Sequence, residues 1–145
     1  MQKILTAFCL LTLACGADKY EYNEGGEKKS YRIKNEWLNE ALEKAGESRK
    51  AAISTVEYYD TETPKIALVN YTISGEPGLY NVVVEMSGNG ESMNEIGRMY
   101  YCTGISCNCL VVVTVGGGGS YELKCNCTTC DMIVVDTPQP TRLFQ

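Results

Sequence analysis

The sequence predicts an α+β fold: one N-terminal helix packed on an antiparallel β-meander sheet, with a disulfide-braced C-terminal hairpin. Three observations point there. Apolar residues at Ile33, Trp37, Leu38, Ala41, Leu42 and Ala45 fall on one stripe of a helix. Beyond Gly46 the period changes to two, in runs of branched and aromatic residues separated by turn signals. Six of the eight cysteines crowd between Cys102 and Cys130, around a valine run and four glycines. A helix followed by consecutive strands buries its stripe by covering one face of a sheet.

The chain has 145 residues, the length of one ordinary domain once a targeting segment is subtracted. Residues 1–14 carry a single charge, Lys3, and then an apolar run from Ile4 to Ala14, too short to span a bilayer. These features predict a secretory signal. Its end, Leu11, Thr12, Leu13, Ala14, Cys15 and Gly16, resembles the lipobox of bacterial lipoproteins. The resemblance covers the leader alone. It implies cleavage before Cys15, lipid on that cysteine, and attachment to membrane lipid through the acylated residue. Gly16 in place of aspartate resembles lipoproteins exported to the outer membrane. The resemblance thus implies an exported cell-envelope protein whose further partner, an envelope protein or ligand, is unspecified. The other reading of the same residues is ordinary cleavage after Ala17 and secretion.

Residues 15–30 are polar and charged, with a Gly25-Gly26 pair and little to bury, and are expected to be a lipid anchor and flexible tether. Residues 31–135 are expected to form the single domain. Its helix stops at Gly46, a natural C-terminal residue. Strands are expected over 52–59, 65–74, 79–86, 98–103, 108–115, 120–127 and 132–135. Asp60 to Pro64, Gly75 to Gly78, and Gly88-Asn89-Gly90 punctuate them. Residues 91–96 suit a short helix or a loop. Residues 136–145, with Pro138 and Pro140, suit a flexible tail. Helix first and sheet after it is similar to the cystatin-like layout, a likeness of order that implies nothing about activity.

A hairpin with a flexible tip at Gly116 to Gly119 brings the doublets Cys107-Asn108-Cys109 and Cys125-Asn126-Cys127 together at the far end of the ladder. Cys109 then faces Cys125 or Cys127, depending on register. Residues two apart on a strand share a face, so four sulfurs are expected on one side, with Cys102 and Cys130 beside them. An even cysteine count in an exported chain predicts three disulfides. Each cross-link closing about 15 to 25 residues is worth on the order of 3 kcal/mol, against about 5 to 15 for a whole domain. The alternative is a secreted Zn or Cu(I) thiolate-binding protein that uses the same six residues.

Other chemistry is thinly represented. Without a histidine, the commonest general base and the Ser-His and Cys-His pairs are missing. Cys127-Thr-Thr-Cys130 matches a redox spacing, but the apolar run after it suits a strand rather than the helix whose N-terminus stabilises a thiolate. No phosphate-loop lysine follows the glycines. A hydrolase would have to work with two convergent carboxylates. Eighteen acidic against 13 basic side chains, a net charge of −5, give no footprint for nucleic acid. Asn70-Tyr-Thr72 and Asn126-Cys-Thr128 match the N-glycosylation sequon. No cofactor is implied, and the expectation is a binding or structural protein rather than an enzyme.

Overall fold

The computed structural model describes residues 20–24, 27–31, 33–62, 64–86, 96–105 and 107–136. The expected signal, Cys15, the segment 91–95 and residues 137–145 of the tail lie outside the described residues. In chain order the elements are β1 (Tyr20–Glu24), β2 (Glu27–Tyr31), α1 (Asn35–Lys44), β3 (Ala51–Tyr59), β4 (Lys65–Ile73) and β5 (Tyr80–Met86). β6 (Ile96–Thr103), β7 (Val111–Val115), β8 (Tyr121–Cys125) and β9 (Asp131–Asp136) follow.

Helix α1 buries Leu38, Ala41 and Leu42, the middle of the expected stripe. It ends where Gly46 takes φ +92°, a conformation that side chains with a Cβ resist. The turn is closed by Gly46 N–H on Glu43 O (3.0 Å) and Glu47 N–H on Leu42 O (2.9 Å), the bond pair of a Schellman motif. The last orphan carbonyls of the helix are therefore partly satisfied inside the fold.

Strands β3 to β6 run as an antiparallel meander, and β9 pairs with β6, giving the order β3-β4-β5-β6-β9. The helix covers one face of this sheet, packing on Ala67, Val69, Tyr71, Val82, Val84 and Met99. It also protects the β3 edge. Asn35 and Asn39, one helical turn apart, act as surrogate backbone: Asn39 exchanges two bonds with Ala51 (2.8 and 2.9 Å), and Asn35 accepts from Ile53 N–H (2.8 Å). An exposed strand edge is a template for unwanted pairing, and these amides occupy part of it.

The hairpin β7–β8 is not a continuation of the meander. It forms a two-stranded sheet of its own, laid on the second face of the main sheet over Ile66, Val83 and Cys102. The result has three layers: helix, five-stranded sheet, hairpin. The run Ile66-Ala67-Leu68-Val69 and the triplet Val82-Val83-Val84 are apolar on both faces because both faces are covered.

Two further features differ from expectation. Within 15–30, expected as a tether, β1 and β2 pair from Tyr20↔Tyr31 to Glu24↔Glu27 as a separate ladder. Two residues, Gly25-Gly26, separate the strands in sequence, and Gly-Gly is a hairpin signal in its own right. The hairpin tip at the glycines is anchored, since Gly119 O accepts from Glu62 N–H (3.1 Å) in the β3–β4 connection.

Candidate functional site

Three disulfides join the six cysteines in sequential order: Cys102–Cys125, Cys107–Cys127 and Cys109–Cys130, with Cα separations of 5.8, 6.9 and 5.8 Å. Each links two segments that are distant in sequence, and none closes within a doublet. Strand β6 delivers Cys102 to the buried second face, where it is 9% exposed, and its disulfide to Cys125 ties the sheet to the hairpin through their shared core.

The register pairs Val111 with Cys125, which sets Cys109 across from Cys127 by extension of the ladder. Neither bonds the other. β7 begins only at Val111 and β8 ends at Cys125, so the outer cysteines lie on irregular backbone where strand alternation does not apply. The four doublet sulfurs accordingly do not share one partner face: Cys125 reaches into the core to Cys102, whereas Cys107, Cys109, Cys127 and Cys130 gather at the end of the hairpin. Gly104 lies tight against this group. A Cβ there would sit 2.8 Å from both Cys109 Sγ and Thr129 O.

Asparagines, not cysteines, finish the ladder. Asn126 donates its backbone N–H to Leu110 O (2.9 Å), accepts Leu110 N–H on Oδ1 (2.9 Å), and donates Nδ2 to Asn108 O (3.0 Å). Asn81 on β5, 8% exposed, does the same for the hairpin's start. Its Oδ1 accepts from Val111 N–H (2.7 Å) and its Nδ2 donates to Val111 O (3.0 Å). Both sequon amides are engaged, since Asn70 donates to Thr55 Oγ1 (3.0 Å) and Asn126 to Asn108.

A second stitch lies farther along the hairpin. Glu85 Oε1 accepts from Tyr100 OH (2.5 Å) and Tyr121 OH (2.9 Å), joining β5, β6 and β8. Burial, then the Glu85 bond, pushes both phenols above the ordinary tyrosine range. Neither this stitch nor the Asn81 clamp is foreseen from sequence. The available signal is the presence of Asn81 and Glu85, poor strand formers, four residues apart and so on one face of an otherwise apolar strand.

The Cys127-Thr-Thr-Cys130 motif lacks the redox geometry. Its two sulfurs bond different partners, and β9 rather than a helix follows. An open polar groove of about 400 Å³ beside α1 includes Glu36, Glu43 and Glu47. Hydrogen bonds from the Arg49 side chain and N–H hold the Glu47 carboxyl down at about 2, and Glu76, bonded by Tyr80 and Arg49, is also lowered. A general acid needs the opposite shift.

Three disulfides suit an oxidising compartment outside the cytosol. Among the described residues, no helix is long and apolar enough to cross a membrane. No family model matches the chain, and comparison with curated proteins and with solved structures likewise gives no match.

Proposed function

We propose that the chain is a cell-envelope lipoprotein, acylated on Cys15, with a binding or structural role rather than a catalytic one. The observation that carries the reading is the triple disulfide brace, because disulfides of this kind form and persist in compartments outside the cytosol. The leader supplies the means: an apolar run ending in Ala14, Cys15 and Gly16 resembles a lipobox. The acidic balance supports attachment by acyl chains, since a net charge of −5 offers little attraction to an anionic bilayer. A non-catalytic role is supported by the lack of histidine and by lowered rather than raised acids at Glu47 and Glu76.

Cells expressing the full chain with labelled palmitate are expected to label the wild type and not Cys15→Ala, with the variant recovered in a soluble exported fraction. Equal labelling of both proteins, or of neither, would sink the anchor and leave cleavage after Ala17 as the better reading.

A further inference from the structure

Two of the three disulfides lie side by side at the hairpin end, and their sulfurs share a small volume. The Sγ atoms of Cys107, Cys109 and Cys130 all lie within 4.8 Å of one another. Cys107 Sγ is 3.2 Å from Cys130 Sγ and 3.8 Å from Cys109 Sγ, and Cys127 is bonded to Cys107. In a tetrahedral zinc–thiolate site with Zn–S bonds of about 2.3 Å, neighbouring sulfurs are roughly 3.8 Å apart. Across the two disulfides, Cys107 Sγ thus stands at or a little inside that spacing from Cys109 and Cys130, and Cys127, its bonded partner, is the fourth thiol that reduction releases beside them.

Their backbone is also held by bonds that do not involve sulfur. Asn126 ties its turn to Leu110 and Asn108 through three hydrogen bonds, and Asn108 Nδ2 donates to Leu79 O (3.2 Å). Cys130 N–H closes the Cys-x-x-Cys turn on Cys127 O (3.2 Å). The third disulfide, Cys102–Cys125, lies in the core between sheet and hairpin, against which Cys109 and Cys130 also pack. Opening the two outer disulfides would leave this scaffold in place.

We propose that the reduced form of Cys107, Cys109, Cys127 and Cys130 is a tetrathiolate site for Zn(II). A dithiol reductant delivers two electrons and two protons to each disulfide and is itself oxidised to a disulfide, so four thiols form. Zn(II) then makes four Zn–S bonds as the thiol protons pass to solvent. The site carries net negative charge next to Asp131. Of the three clustered sulfurs, that of Cys107 is the one through which water reaches that charge, Cys109 and Cys130 being more deeply buried. The brace and the metal site are then two oxidation states of one cluster, and neither depends on lipid at Cys15.

The test uses the full chain treated with two equivalents of a phosphine, enough for the two outer disulfides and no competitor for zinc as a dithiol would be, with and without Zn(II), its fold checked by circular dichroism. Bound metal is counted after desalting, and unprotected thiols are alkylated and mapped by mass. Stoichiometric zinc is expected, with Cys107, Cys109, Cys127 and Cys130 protected. Failure to retain zinc, or protection falling on Cys102 and Cys125 in place of those four, overturns the proposal. A Cys109→Ser/Cys130→Ser variant keeps the other two disulfides before reduction and is expected to lose zinc retention. Retention equal to the wild type would also overturn it.

Discussion

A Cys102→Ala/Cys125→Ala variant is expected to lose about 3 to 4 kcal/mol of folding stability, the largest effect available from any single cross-link here. The two residues are 23 apart, and releasing a loop of that size returns about 3 kcal/mol of conformational freedom to the unfolded chain. The remainder comes from packing: Cys102 lies within the second-face core with Ile66, Val83 and Val111, and truncation leaves a void there. Against about 5 to 15 kcal/mol for a whole domain, that loss is a large share. The other two disulfides close similar intervals, 20 and 21 residues, but join irregular segments at the hairpin end. Removing Cys107–Cys127 should therefore cost less. Urea unfolding followed by the fluorescence of Trp37, which packs against the helix–sheet core, measures both. Equal midpoints for the Cys102/Cys125 variant and the wild type would show that the disulfide does not brace the fold.

Asn81→Leu is expected to cost on the order of 2 to 4 kcal/mol, although leucine has a similar size and strand-compatible shape. The side chain is buried, and both of its polar atoms serve one residue, Val111, whose N–H and C=O have Asn81 as a two-pronged partner. Replacing only the side-chain half of the clamp leaves backbone groups stranded away from water, and each stranded group costs about 1 to 3 kcal/mol. Asn81→Asp keeps the acceptor but sets a carboxylate against the Val111 carbonyl, so it should be no better tolerated. Asn70, on the same face of the neighbouring strand but only partly buried, is the internal comparison, and Asn70→Ala should cost well under half as much. If Asn81→Leu unfolds at the wild-type urea concentration, the clamp is not what seats the hairpin.

Much of the fold is legible because its signals are local. The stripe from Ile33 to Ala45 and Gly46 bound the helix to within two residues of Asn35–Lys44. Turn clusters such as Asp60 to Pro64 and Gly75 to Gly78 fix the meander, and the glycine run Gly116 to Gly119 fixes the hairpin. What escapes is mostly non-local. Which face the hairpin covers depends on burial of both sides of β4 and β5, and the continuous apolar stretch Ile66 to Val69 carries that signal without naming the cover. Strand alternation misplaces Cys107, Cys109 and Cys127 because their backbone has left the ladder, and pairing among irregular segments has no periodic signature. The Asn35 and Asn39 bonds to β3 and the Asn81 clamp on Val111 join elements that sequence order does not bring together.

The cysteine block is, in the oxidised protein, a brace between a sheet and the hairpin laid across it. The cysteine committed to covalent chemistry under the proposed function is Cys15, outside the block. Partial reduction of the purified, unreduced protein, with stepwise alkylation and mass mapping, tests the brace most directly. The expected result is no free thiol among the six cysteines and the pairs Cys102–Cys125, Cys107–Cys127 and Cys109–Cys130. Free thiols in the protein as isolated, or any pair closed within a doublet, would contradict it.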